Sequence, residues 1–151
     1  MQGMIGHHAQ AIEMVALLKT RTANPDMHRM GLRIEVSQND EIKMMQTWLR
    51  DHGESVPDQH AHHMPGAKPM PGMLTAEQMA RLSAAKDAEF DRLFLEFMIQ
   101  HHEGALTMVK ELMASPGAGQ ESNIFAFASD VEADQSAEIT RMRRMRAAMG
   151  K

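Results

Sequence analysis

The sequence predicts an all-α protein, a four-helix bundle assembled from two tandem helical hairpins. Three observations predict it. Apolar residues recur at steps of three and four over long stretches, with almost no alternating pattern that would signal strands. Helix caps and breakers divide those stretches into separate segments. The second half of the chain also repeats the first: at an offset of 94 residues, Met4, Ile5, His7, His8, Ala11 and Met14 fall on Met98, Ile99, His101, His102, Ala105 and Met108. At an offset of 97, Gln38, Glu41, Ile42 and Met45 fall on Gln135, Glu138, Ile139 and Met142. A repeat whose unit is a hairpin implies approximate internal two-fold symmetry, with one long connection between the halves.

The first hairpin spans residues 1–52. Its first helix runs from the start to about residue 22, and Asn24-Pro25 then supplies an N-cap and an N1 proline for a second helix reaching about His52, where Gly53 stops it. Residues 53–74 form a crossover loop, because "ESVPDQHAHHMPGAKPMPGML" from Glu54 to Leu74 holds four prolines and no sustained periodicity. The second hairpin spans residues 75–151. Thr75, with Gln78 three residues on, forms a capping box that opens a short extra helix. A long helix follows from about Asp87 to Ala114, "SPGAG" breaks it, and a last helix runs from about Gln120 to Met149, with Gly150 as its C-terminal cap. Met1 aligns with Leu95, so the first helix lacks a counterpart of "EFDRLF" at Glu89 to Phe94, and the native chain is expected to begin earlier.

At 151 residues with 43% hydrophobic content, the chain is long enough to bury one core, and a single domain is expected. The net charge of −4 gives no general attraction to nucleic acid. The one basic run, "RMRRMR" at Arg141 to Arg146, reads as cations complementing the dipole at a helix C-terminus. No apolar run approaches the roughly 20 residues that span a bilayer, so no membrane span is expected. The sulfur content is unusual, with no Cys but 17 Met, beside 9 His and only 4% aromatics. Thioethers cannot form disulfides, which fits a periplasmic or secreted setting.

The histidines lie where the helical pattern gives them direction. In the long helix Phe90, Phe94, Phe97, His101, Gly104, Met108 and Leu112 follow steps of three and four, so His101 belongs to the core-facing stripe. His7, Met14 and Leu18 form the equivalent stripe of the first helix. Adjacent helical residues point about 100° apart, so His8 and His102 are expected to flank the stripe, one turn beyond Met4 and Met98. A lone buried His usually hydrogen-bonds a partner, here Glu41 or Glu138. Two symmetric Met-His-His groups, each faced by a Gln/Glu pair (Gln38 and Glu41, Gln135 and Glu138), point instead to metal binding with those polar residues behind the ligands.

Ligand type selects the metal. Di-iron bundles need Glu-x-x-His pairs projecting inward, and no Glu in this chain has a His three residues later. Met4 and Met98 occupy the positions of those carboxylates. Structural zinc sites want three or four Cys, His or carboxylate ligands, and the chain has no Cys and no H-x-x-x-H pair. Thioether with imidazole suits Cu(I) and, by the same softness, Ag(I). Further soft groups are Met27 with Met30, Met70 with Met73 in "MPGM", and His60, His62, His63 and Met64 in the loop, whose "HAHH" also fits Cu(II) or Zn²⁺. Met45 and Met142, matched across the repeat, join the candidate ligands, although core packing accounts for Met142 and Met145 equally well.

"FDRLFLEFMIQHHEGALTM", "MPGMLTAEQM" and "QNDEIKMMQTWL" together resemble the signature segments of a CopM-like bacterial family of ferritin-like four-helix bundles, catalogued as a domain of unknown function, DUF305. The resemblance covers nearly the whole chain. It implies a periplasmic or secreted protein that binds Cu(I) and Ag(I) and assists copper tolerance, with copper ions and another envelope copper-handling protein as partners. By matching motif, the ligand positions fall on Met4, His7, His8 and Met14, on Met98, His101, His102 and Met108, and on the loop Met/His group. The expected function is therefore non-catalytic copper buffering or handover. Two alternatives are a ferritin-like metal oxidase and a Met-rich surface that binds apolar helices.

Overall fold

The computed structural model describes residues 1–58, 70–117 and 121–150. Its described elements are five helices: α1 Gln2–Arg21, α2 Pro25–Asp51, α3 Ala76–Ala84, α4 Asp87–Ala114 and α5 Ser122–Met149. The predicted boundaries hold to within about two residues because local chemistry sets them. Asn24 Oδ1 accepts from the Asp26 amide at 3.0 Å, with Pro25 opening α2. At the other end of α2, Gly53 adopts φ 68°, its amide donates to the Arg50 carbonyl at 3.1 Å, and the Glu54 amide donates to Leu49 at 2.8 Å. This pair of bonds is the Schellman arrangement that a glycine after a helix permits. The capping box of α3 is formed reciprocally: the Gln78 amide donates to Thr75 Oγ1 at 3.1 Å and the Thr75 amide to Gln78 Oε1 at 2.9 Å.

The core gives the topology. One apolar cluster combines the later part of α1 (Met14, Val15, Leu18), the start of α2 (Met27, Met30, Ile34), the start of α4 (Phe90, Phe94, Phe97) and the end of α5 (Ile139, Met142). The other combines Met4 and Ile5 of α1, Ile42, Met45 and Leu49 of α2, Ala105 and Val109 of α4, and Phe127 and Val131 of α5. Each helix thus runs antiparallel to its neighbour: α1 to α2, α4 to α5, α1 to α4 and α2 to α5. α2 ends beside the second cluster while α4 begins in the first, so the connection between the hairpins crosses the length of the bundle. On its way it lays Leu74, Leu82 and Ala85 into the first cluster. α1 with α2 and α4 with α5 pack closely, whereas α2 and α5 are looser neighbours. Among the described residues, no helix is long and apolar enough to cross a membrane.

Candidate metal centre

Between the two apolar clusters lies a slab that belongs to neither. It holds His7, His8, His101 and His102 with Gln38, Glu41, Gln135 and Glu138, and each of these eight residues is buried. Its geometry repeats across the pseudo-two-fold. The rings of His7 and His8 lie 6.2 Å apart at 58°, and those of His101 and His102 lie 6.3 Å apart at 58°. His7 and His101 meet at the centre, with ring centroids 3.9 Å apart. His8 and His102 flank the stripe and are nonetheless 0% exposed. The 100° step that turns them away from the α1–α4 seam turns them toward α2 and α5, which cover them.

Each outer histidine is braced by a carboxylate. His8 Nε2 donates to Glu41 Oε2 at 2.5 Å and His102 Nε2 to Glu138 Oε2 at 2.6 Å. His7 Nε2 donates to the Pro71 carbonyl at 2.9 Å. A carbonyl only accepts, so the proton of His7 sits on Nε2 and its Nδ1 carries the lone pair. The carboxylates impose the same tautomer on His8 and His102, whose Nδ1 atoms are buried with no hydrogen-bond partner. Histidine ligands of metals are commonly oriented in this way, by a carboxylate or carbonyl holding the ring nitrogen opposite the metal. The lone-pair atoms His101 Nε2, Gln38 Oε1, Glu41 Oε1 and Gln135 Oε1 also lack hydrogen-bond partners. Each such buried group costs about 1–3 kcal/mol unless something else satisfies it, so the donor set fits a bound cation. Burial, and after it the proximity of His7, His102 and His8, holds the His101 imidazole well below its ordinary pKa of 6.5, against a hydrogen bond to the His7 backbone. His101 is therefore neutral near pH 7, as coordination requires.

The "MPGM" turn closes one side of the slab. Met73 N donates to Met70 O at 3.2 Å, and Gly72 takes φ 76°, the geometry of a turn with proline and then glycine at its centre. Gly72 lies against Gly104: a Cβ on Gly104 would sit 2.0 Å from the Pro71 oxygen. Gln10 fixes the next residue at both ends, its amide donating to Leu74 O at 3.0 Å and its Oε1 accepting from Leu74 N at 2.8 Å. Gln100 Nε2 donates to Gly72 O at 3.3 Å. The sequence pattern places this stretch in the crossover loop, and in the structure it packs against the bundle: Met70 and Met73 are half-buried, and a Cβ on Gly3 would lie 3.2 Å from the Met70 sulfur. The sequence signal for this docking is a glycine within the buried stripe of α4, Gly104, and a second in the turn, Gly72, a pairing that lets two backbones approach.

The candidate methionines divide between the apolar clusters that sandwich the slab. Met4 and Met45, with half-buried Met108 against them, lie on one side; Met14, Met98 and Met142 lie on the other. Because α1 and α4 are antiparallel, Met4 shares its side with Met108 and Met98 shares its side with Met14, so each side draws on both repeats. Met27 and Met30 pack in the core. His60, His62, His63 and Met64 lie outside the described residues. Among the described residues no three His, Asp or Glu side chains converge to hold a metal ion, so a three- or four-coordinate ion in the slab would draw on thioethers or carbonyls as well as imidazoles.

The family model described as "Domain of unknown function (DUF305)" matches residues 1–146. Among curated proteins, none is similar in sequence. Solved structures are. The chain resembles a putative secreted DUF305 protein from Streptomyces coelicolor at 26% identity and a TM-score of 0.83, over 97% of this chain and 89% of that one. A DUF305 fragment from Deinococcus radiodurans is also 26% identical, with a TM-score of 0.80, over 99% of this chain and 91% of that one. CopM in its Cu(II)-bound form is 26% identical with a TM-score of 0.76, over 96% of this chain and 91% of that one; CopM has also been solved in Cu(I)-bound and Ag-bound forms.

Proposed function

The chain belongs to the DUF305 family, and on that premise we propose that it is a non-catalytic soft-metal-binding protein. It takes up Cu(I), and by the same chemistry Ag(I), for buffering, tolerance or handover in the periplasm or outside the cell. The observation that carries this reading is the pair of carboxylate-braced imidazoles, His8 with Glu41 and His102 with Glu138, whose opposite nitrogens are buried without partners between two banks of methionine. Neutral imidazole and thioether are the donors that suit Cu(I). The copper- and silver-bound forms of CopM, a protein of the same fold, support the choice of metal.

The described geometry favours this over both alternatives. A di-iron oxidase needs carboxylates that converge on the metals, whereas Glu41 and Glu138 each hold a histidine through Oε2, and no three His, Asp or Glu side chains converge among the described residues. A Met-rich docking surface needs its methionines outside, whereas Met4, Met14, Met27, Met30, Met45, Met98 and Met142 are buried.

Anaerobic competition against a chromophoric Cu(I) chelator tests the proposal with two double variants. Met4→Leu with Met98→Leu keeps side-chain volume, so it should cost less than about 1.5 kcal/mol of stability per site while weakening Cu(I) binding. Glu41→Gln with Glu138→Gln should lower affinity by about 10–100-fold, the usual effect of removing a group that orients a ligand. Wild-type affinity in both variants would return the slab to a structural role.

A further inference from the structure

We propose that the groove between α2 and α5 is the route by which a cation reaches and leaves the buried imidazole slab, an inference that rests on the soft-metal reading above. Among the described residues, the two ends of the bundle and its α1–α4 side are covered. The two ends of the bundle are filled by the apolar clusters. The α1–α4 side is covered by the Met70–Met73 turn, whose Pro71 carbonyl accepts from His7 and abuts Gly104. The α2–α5 side carries a groove of about 670 Å³, between walls that include Leu32, Val36 and Ala133. Glu41 and Glu138 also line it, and these are the residues whose Oε2 atoms hold His8 and His102. One carboxylate therefore separates the groove from each outer histidine.

The charge of the groove suits a cation. Asp130 and Asp134 join Glu41 and Glu138 along it, with Asp40 ion-paired to Lys43, against Arg33 and against Arg29, which is ion-paired with Asp26. A cleft of predominantly one sign between low-dielectric walls concentrates ions of the other. The Asp134 carboxyl registers that accumulation: desolvation and then Glu41 and Glu138 push its pKa up, against the pull of Arg33. A second, independent feature points to a ligand. Glu41 is only 5% exposed and lines the groove, yet its Oε1 has no hydrogen-bond partner, and neither has Oε1 of fully buried Gln38 one turn before it on α2. These lone pairs receive an ion that has shed water.

A route and a binding site respond differently to obstruction. Val36 and Ala133 are exposed on the groove walls, so Val36→Trp with Ala133→Trp narrows the passage without entering the core. The probe is Cu(I) under anaerobic conditions, with release timed by trapping in excess chromophoric chelator and affinity measured by competition. The plugged variant should release Cu(I) about tenfold more slowly at unchanged equilibrium affinity, since a barrier slows both directions equally. Asp130→Asn with Asp134→Asn should slow uptake about tenfold at low ionic strength and flatten its salt dependence. Normal Cu(I) affinity with wild-type rates in both variants, each folded by circular dichroism, overturns the route and leaves the metal reading intact. Wild-type protein that takes up no Cu(I) overturns the metal reading and the route with it.

Discussion

Acidification tests the imidazole slab with no metal present. His101 is 1% exposed, its ring centroid is 3.9 Å from that of His7, and His8, His102, Glu41 and Glu138 complete its surroundings. Burial, reinforced by the neighbouring imidazoles, lowers its pKa well below 6.5 in the folded protein. In the unfolded chain it returns to about 6.5. Below that pH the unfolded state binds a proton that the native state refuses, so stability rises with pH. This contribution is fully present above the unfolded value and is lost as pH falls toward the folded one. The slope approaches about 1.4 kcal/mol per pH unit, and from pH 7 to pH 5 the loss from this one group comes to about 2 kcal/mol. That is a sizeable fraction of a typical domain stability of about 5–15 kcal/mol. Urea unfolding followed by circular dichroism at pH 7, 6 and 5 measures it in metal-free wild type and in His101→Leu. The wild type should lose about 2 kcal/mol more than the variant across that range. Parallel losses in the two proteins would show that His101 is not held neutral by its burial.

Two further substitutions probe how the crossover closes the slab. Gly104→Ala places a Cβ 2.0 Å from the Pro71 oxygen and 2.4 Å from its carbonyl carbon. Backbone cannot swing aside as a side chain can, so the turn should lift at a cost of about 1–3 kcal/mol, with faster amide exchange at Met73; unchanged exchange there would refute the close packing. Gln10→Ala removes both hydrogen bonds to Leu74 and leaves its backbone groups buried, so the urea midpoint should fall by an amount equivalent to about 1–3 kcal/mol. A midpoint within error of wild type would mean that this clamp does not hold the crossover.

The helices were legible because their ends are written in local chemistry. Asn24-Pro25, Thr75 with Gln78, and Gly53 each act on backbone groups within a few residues, so the sequence names both partners of each bond. The pairing of helices was legible through the repeat, which carries the same Met-His-His and Gln-x-x-Glu spacing twice. The docking of Met70–Leu74 was not legible. It depends on Gln10, Gln100 and Gly104, which are distant in sequence and acquire meaning only once α1 and α4 lie side by side.

The same reason explains what is and is not legible in the sequence about the candidate metal centre. His7, His8, His101 and His102 stood out as adjacent pairs, and Glu41 and Glu138 as their polar counterparts, because each pairing falls within one repeat. Which methionines share a side of the slab depends instead on the direction in which the repeats meet. Read along the chain, Met4 groups with Met14 and Met98 with Met108. In the antiparallel packing Met4 groups with Met108, and Met14 with Met98. A thioether bank built in this way needs both hairpins in place, while each carboxylate–imidazole pair forms within a single hairpin. The two layers of any soft-metal site here therefore differ in what assembles them. A change that loosens one hairpin against the other, without touching a ligand, should disturb the methionine banks while leaving His8 on Glu41 and His102 on Glu138.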